Sequence, residues 1–302
     1  MITSIGLETA RKEMKRVAIL GVGKMGAAVA KELSKSGHSV ILWNRSKEMT
    51  ESLAAQFPNV SVATSPRNAL KDADVAITFF ASGPVTESVL LDDLSVLEDS
   101  KKSLIIVDMG TSGLETAQKL GAAIAKMGRK FIDCPVSGSV ATIQSHQLLI
   151  MASGDKSAIR EVESVLTVFA KKVIHVGDVG AGQVMKLVVN SVVHALNIAV
   201  AEGLTLASTF NLDLNSVYDV LQESVVAAPY VLYKRNAFLN PDTPVTMRID
   251  TAAKDIGLVL NLAQSKGLHL AIAEAVAGIY SGATDSGFGE ADMAAITRPI
   301  SE

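Results

Sequence analysis

Residues Gly21-Val22-Gly23-Lys24-Met25-Gly26 form a GxGxxG turn between an apolar run over 16–20 and a helical pattern beginning at Met25. In such a turn the first glycine permits the tight bend and the second lets the backbone approach a pyrophosphate. The third lets helix and strand pack closely, and the helix N-terminus attracts the phosphate charge. Glycine-rich turns also occur as plain structural turns; the strand–turn–helix setting is what favours a dinucleotide here. The next apolar run, 39–43, ends in Asn44-Arg45-Ser46, where an NAD-binding domain usually places a carboxylate for the ribose 2′-hydroxyl. The first carboxylate in this chain is Glu48. An arginine at that place can pair with a 2′-phosphate, which points to NADP (NADPH); the alternative is that Arg45 is a solvated loop residue.

Two further segments carry polar groups in apolar surroundings. Asp133-Cys134-Pro135-Val136-Ser137-Gly138-Ser139 follows an apolar run, and Ser137-Gly138 offers a hydroxyl and backbone N–H groups suited to a carboxylate. Many Ser-Gly turns are only structural. Downstream, Gly182-Gln183-Val184-Met185-Lys186-Leu187-Val188-Val189-Asn190 opens a long helical pattern, and Lys186 and Asn190, four apart, share one face. An unpartnered ammonium on an apolar helix is costly. Lys186 either snorkels to the surface, with Asn190 capping a loop, or the two act on a ligand. His194 on the same face reads as a packed, hydrogen-bonded residue.

These residues need a scaffold, and the apolar pattern supplies one. Strand-like runs at 16–20, 39–43, 60–64, 74–80, 103–108 and 130–134 alternate with helical stretches, the clearest over 114–127. Nearly continuous apolar strands separated by helices predict a parallel sheet covered on both faces. Runs at 148–154 and 172–177 extend that sheet. Beyond Asp178 the pattern is helical to Ile296, starting with a long helix over 184–210. The fold class is α/β: an N-terminal Rossmann-type parallel sheet with extension, then an all-α C-terminal domain joined by a long interdomain helix. The domains are expected at 15–178 for cofactor binding and 179–302 for substrate and dimerisation, after a loose arm over 1–14.

Composition narrows the partners. The 302 residues suit two domains, and 28 Lys+Arg against 31 Asp+Glu leave a net charge of −3 with no basic stripe, so no nucleic-acid partner is expected. The single cysteine, Cys134, excludes an intramolecular disulfide and a multi-thiolate metal site, fits a reducing compartment, and with no leader pattern points to a cytoplasmic protein. Mean hydropathy is +0.32, but the longest apolar stretch, 184–201, is broken by Lys186, Asn190, His194 and Asn197 and reads as a buried helix, so no membrane partner is expected either.

With these motifs in order, joined by VDMGTSGLETA, AAKDIGLVL and GFGEADMAAI, the chain resembles the β-hydroxyacid dehydrogenase family over residues 15–296. The resemblance implies that the glycine-rich turn, Asn44, Arg45, Ser46 and Thr111 bind the cofactor, and that Lys254 helps close the site near the nicotinamide. It implies that Ser137, Gly138 and the neighbouring Ser139 hold the substrate carboxylate, that Lys186 is the acid/base, and that Asn190 orients the substrate. Ser139 stands where the family usually has glycine, His146 and Gln147 where it has Gly and Thr, and Gly110 where it has serine. Pro229-Tyr230 replaces a Ser-aromatic pair. The expected activity is reversible NADPH-dependent reduction of small carboxylate-bearing aldehydes or keto acids, with no metal, in a homodimer or homotetramer. Alternatives are an imine reductase-like NADPH enzyme, which the presence of Lys186 disfavours, and a non-catalytic NADP-binding scaffold.

Overall fold

The computed structural model describes residues 14–91, 95–240 and 243–297; all of the expected N-terminal arm but Met14 lies outside the described residues. Strand and helix alternate from the start: β1 (Arg16–Leu20), α1 (Lys24–Lys35), β2 (Ser39–Trp43), α2 (Glu48–Gln56), β3 (Val60–Val62) and α3 (Pro66–Leu70). Next come β4 (Val75–Thr78), α4 (Gly83–Leu90), α5 (Ser95–Glu98), β5 (Ile105–Asp108), α6 (Leu114–Lys126) and β6 (Lys130–Asp133). The sheet ends with β7 (Val136–Ser137), α7 (Val140–Gln144), β8 (Leu148–Gly154), α8 (Lys156–Leu166) and β9 (Ala170–Gly177). Helices α9 (Ala181–Thr209), α10 (Leu214–Glu223), α11 (Pro229–Leu239), α12 (Ile249–Gln264) and α13 (Ala271–Ala283) follow.

Strands buried on both faces explain the run-like pattern. Val17 and Ile19 of β1 enter one core with Val40, Leu42, Val75 and Ile77, under α1, α2 and α8. Ala18 and Leu20 enter the opposite core with Ala76 and Ile106, under α3, α5 and α6. The order β3-β2-β1-β4-β5-β6 is parallel throughout and reverses direction between β1 and β4, the place where open α/β sheets take ligands beyond the strand ends. The extension belongs to the same sheet but is turned: β8 runs antiparallel to β6 and β7, and β9 lies parallel to β8. Ile132 and Asp133 pair with Gly154 and Ser153, and Val136 and Ser137 with Ile150 and Leu149, so β7 resumes β6 on the same edge of β8. Pro135 sits in the gap without an N–H, and its carbonyl accepts from Met151 N–H at 3.0 Å.

The chain separates into two compact units, one ending at Lys186 and one starting at Leu187. The first turn of α9 therefore goes with the sheet. By length and apolarity α9 could cross a membrane, yet Gln183, Asn190 and Asn197 along it are buried and bonded within the protein. The helix is not buried all round, as the sequence suggested: Met185, Val188 and Val192 are exposed.

The helical unit has its own core, with Tyr218, Tyr280 and Val231 inaccessible to solvent. Within it Lys234 is buried and donates to Asp292 Oδ1 at 2.6 Å and to Thr246 Oγ1 at 2.8 Å. Asp292 also accepts from the Thr246 and Ala294 N–H groups at 2.8 and 3.0 Å. Burial alone would raise the Asp292 carboxyl, but Lys234 and these N–H donors outweigh it and hold it below the usual range. Burial lowers Lys234 despite its partner. Removing one member leaves the other charge buried and unpaired, so Lys234→Met should cost about 3–5 kcal/mol in denaturant unfolding, and adding Asp292→Asn should recover part of the loss.

Candidate active site

The glycine-rich turn joins β1 to α1. Gly21 has φ +91°, and a side chain there would collide with the Phe79 carbonyl, while one at Gly26 would collide with the Gly21 carbonyl. Gly23 is different: its φ is −84°, and nothing lies within 4 Å of where a Cβ would stand. Neither backbone conformation nor internal packing calls for glycine at 23; the approach of a pyrophosphate does. Lys24 is exposed beside it and Met25 half-buried. Asn44 braces the turn, accepting from Val22 N–H at 3.1 Å and donating to the Ser46 carbonyl at 2.9 Å, while Arg45 and Ser46 stay exposed. The amide of Asn44 thus shapes the loop, and the side chains presented to solvent are those of Arg45 and Ser46.

Thr111 lies half-buried in the loop after β5, and its neighbours are held from two sides. Asp108 Oδ1 accepts from the Thr78 hydroxyl at 2.8 Å and Gly110 N–H at 3.2 Å, and Oδ2 accepts from the Ser112 hydroxyl at 2.7 Å. Gln183 meets the loop from α9: its Oε1 accepts from the N–H groups of Ser112 and Gly113 at 3.0 and 3.1 Å, and its Nε2 donates to the Gly110 carbonyl at 3.0 Å. Asp133, in register with Asp108 on the neighbouring strand, seats the helix itself. It accepts from Gly180 N–H at 2.8 Å, Gln183 N–H at 3.0 Å and the Ser153 hydroxyl, meeting backbone donors that the start of a helix leaves unbonded. Lys186, half-buried, follows three residues later.

The turn after β7 is just as tightly specified. Gly138 has φ +144°, and a side chain would collide with the Thr142 hydroxyl. Ser139 starts α7: its N–H donates to Thr142 Oγ1 at 2.7 Å, and the Thr142 hydroxyl returns a bond to the Ser139 carbonyl at 2.8 Å. The Ser139 N–H is therefore committed inside the turn.

In the helical unit, buried Asn190 donates from Nδ2 to Asp255 Oδ2 at 2.8 Å, and Lys254 Nζ lies 2.9 Å from Asp255 Oδ1. One carboxylate orients both. His194 is packed, as expected, with Nδ1 3.4 Å from the Tyr280 hydroxyl. Tyr230 turns into the core, where its hydroxyl donates to Asn197 Oδ1 at 2.6 Å.

Residues 16–177 match the family model of the NAD binding domain of 6-phosphogluconate dehydrogenase, and residues 180–300 match that described as NAD-binding of NADP-dependent 3-hydroxyisobutyrate dehydrogenase. The chain is 30% identical to glyoxylate/succinic semialdehyde reductase 1 of Arabidopsis thaliana, over 94% of this chain and 98% of that protein. The chain belongs to the β-hydroxyacid dehydrogenase family. The family is one of NAD(P)-dependent oxidoreductases, and this chain shares its fold with 3-hydroxyisobutyrate dehydrogenase of Mycobacterium tuberculosis, solved with L-serine. That likeness has a TM-score of 0.84 at 27% identity, covering 96% of this chain and all of the other. It is also 27% identical to the cytokine-like nuclear factor N-PAC of Anopheles gambiae, covering 93% of this chain but 49% of that protein.

Sequence reasoning passed over the buried residues that hold these loops and side chains in place: Asp108, Asp133, Gln183 and Asp255. Their signals were present. Two apolar strands end in aspartate, a glutamine follows the Gly180–Gly182 turn, and an aspartate follows Lys254. Burial is the main force raising Asp108, the Ser112, Thr78 and Gly110 donors oppose it, and Asp133 adds repulsion; the result is a pKa of about 6. Burial also pushes the Cys134 thiol up, which makes it a core residue rather than a nucleophile.

The folded protein thus binds a proton at Asp108 between the ordinary 3.8 and about 6 that the unfolded chain releases. Stability contributed by this group falls as pH rises through that window, and the penalty is complete above it. Asp108→Asn can keep an oxygen toward Thr78 and Gly110. Its unfolding free energy should exceed the parent's at pH 7.5 by about 3 kcal/mol, and the gain should vanish near pH 4.

Proposed function

We propose that this protein is an NADPH-dependent reductase, reversible as a dehydrogenase, of short aldehydes or keto acids that carry a carboxylate. The observation that carries the reading is Gln183. One side chain clasps the Thr111 loop while its backbone N–H rests on Asp133, and it lies three residues before Lys186. Proton transfer depends on a donor held in fixed geometry, and a helix start pinned at five points gives that. When bound, the nicotinamide supplies the hydride. Lys186 donates a proton to the carbonyl oxygen that becomes the hydroxyl, and in the reverse direction takes it back. Asn190, its amide fixed by Asp255, orients the substrate. The Ser137 hydroxyl and the Gly138 N–H receive the carboxylate. A neutral ketone would leave those donors unpaired at about 1–3 kcal/mol each. The relatives support short acids: one is named for glyoxylate and succinic semialdehyde, and the other holds L-serine.

Steady-state NADPH oxidation on matched pairs, an aldehyde acid and the same aldehyde without its carboxylate, tests the reading. The acid should be preferred, and Lys186→Ala should lower kcat by roughly 10²-fold with cofactor affinity nearly unchanged. Equal turnover of the uncharged partner, or preference for a cyclic imine, overturns it.

The exposed Arg45 and Ser46 favour a 2′-phosphate. NADPH should exceed NADH in kcat/KM by tenfold or more, about 1.4 kcal/mol, and Arg45→Ala should collapse that ratio.

A further inference from the structure

One residue near the carboxylate turn is held in a conformation its side chain does not favour. His146, in the turn between α7 and β8, has φ +56°, in the left-handed region that suits glycine. A non-glycine residue persists there when other contacts over-determine it. Backbone bonds close the helix there, His146 N–H to the Ile143 carbonyl at 3.0 Å and Gln147 N–H to the Thr142 carbonyl at 2.7 Å, and His146 Nε2 lies 3.3 Å from Glu32 Oε2. Glu32 belongs to α1, the helix that begins at the glycine-rich turn, and its side chain is only 8% exposed. Lys35, one turn on, donates to its other oxygen at 2.7 Å. Glu32 and Lys35 are the charged partners of this cluster, since α7 and residues 145–147 carry no Asp, Glu, Lys or Arg.

We propose that His146 is a positioning residue, tying the carboxylate-binding turn to the dinucleotide helix through the buried Glu32. The segment from Ser137 to Gln147 is anchored at one end by the pairing of β7 with β8 and by Thr142 on Ser139. At the other end Gln147 leads into β8, and His146 adds a contact from there to α1. The turn is thereby fixed relative to the cofactor's pyrophosphate site, and the Ser137 hydroxyl and Gly138 N–H keep the spacing that a short acid needs. The inference rests on the proposed role of Ser137 and Gly138.

The test compares the parent with His146→Asn, His146→Gly, Glu32→Met and the double variant His146→Asn/Glu32→Met. Asparagine tolerates the left-handed backbone but does not reach Glu32, and glycine removes the side chain with no backbone cost. KM for glyoxylate or succinic semialdehyde should rise about fivefold in all three single variants, with kcat and NADPH affinity within about twofold. The double variant should be no worse than either of its singles, because both break one contact. Unchanged KM in His146→Asn and His146→Gly, or multiplying effects in the double variant, overturns the proposal. If Glu32→Met does not fold, the two His146 variants decide. If the parent turns over no carboxylate-bearing aldehyde, the proposed function fails, and hydrogen exchange over residues 137–147 of the NADPH-bound protein decides the tie: faster in His146→Asn if it exists, unchanged if it does not.

Discussion

The carboxylate of Asp133 is the constraint on which the rest of the candidate site depends. It stands at the end of β6, inside the sheet's C-terminal edge, and takes the N–H groups of Gly180 and Gln183. A helix N-terminus seated on a buried carboxylate cannot rotate or slide without exposing that charge to unpaired burial. Everything downstream on the first turn of α9 inherits this fixity. Gln183 carries it back to the Gly110–Gly113 loop, and Lys186 projects from the same turn. Asp108 repeats the device one strand away, holding the loop from its other side. Two neighbouring strand ends thus present two buried carboxylates, each satisfied by neutral donors, and the loops between sheet and helix are built around them.

The helical unit solves the burial of charge differently. Lys234 and Asp292 neutralise each other and gather Thr246, Met247 and Ala294, closing the segment before α12 against the end of the chain. An ion pair fits where the need is to hold two segments together. The two arrangements follow from what each place must accommodate.

Much of this was legible in the chain. Continuous apolar runs separated by helices marked β1 to β6 as strands of a parallel sheet, and the glycine spacing marked the turn, because both are local consequences of period and sterics. Lys186 and Asn190 stood out as polar residues on an apolar helix. The antiparallel entry of β8 was not legible, since an apolar run carries no direction; β7 and β8 are joined by the short helix α7 and run side by side in opposite directions. Asp108, Asp133, Gln183 and Asp255 escaped notice because their meaning is a partner distant in sequence: Gln183 meets residues some seventy positions away. Asn44 was legible as important but not as a brace, since its bond to Val22 exists only once β1 and β2 lie side by side.

The distribution of burial separates chemistry from selectivity. Asp108, Asp133, Gln183, Asn190 and Asp255 are buried and bonded more than once or to a charged partner, so substitution at any of them disturbs several contacts. Arg45, Ser46 and His146 are exposed. The bond to Val22 N–H comes from Asn44, so the Arg45 and Ser46 side chains can change without removing it. The exposed His146 side chain meets Glu32 of α1, while the backbone of Ser137 is paired with Leu149. The buried polar groups are over-determined by the core, and Arg45, Ser46 and His146 sit where a substitution removes fewer contacts.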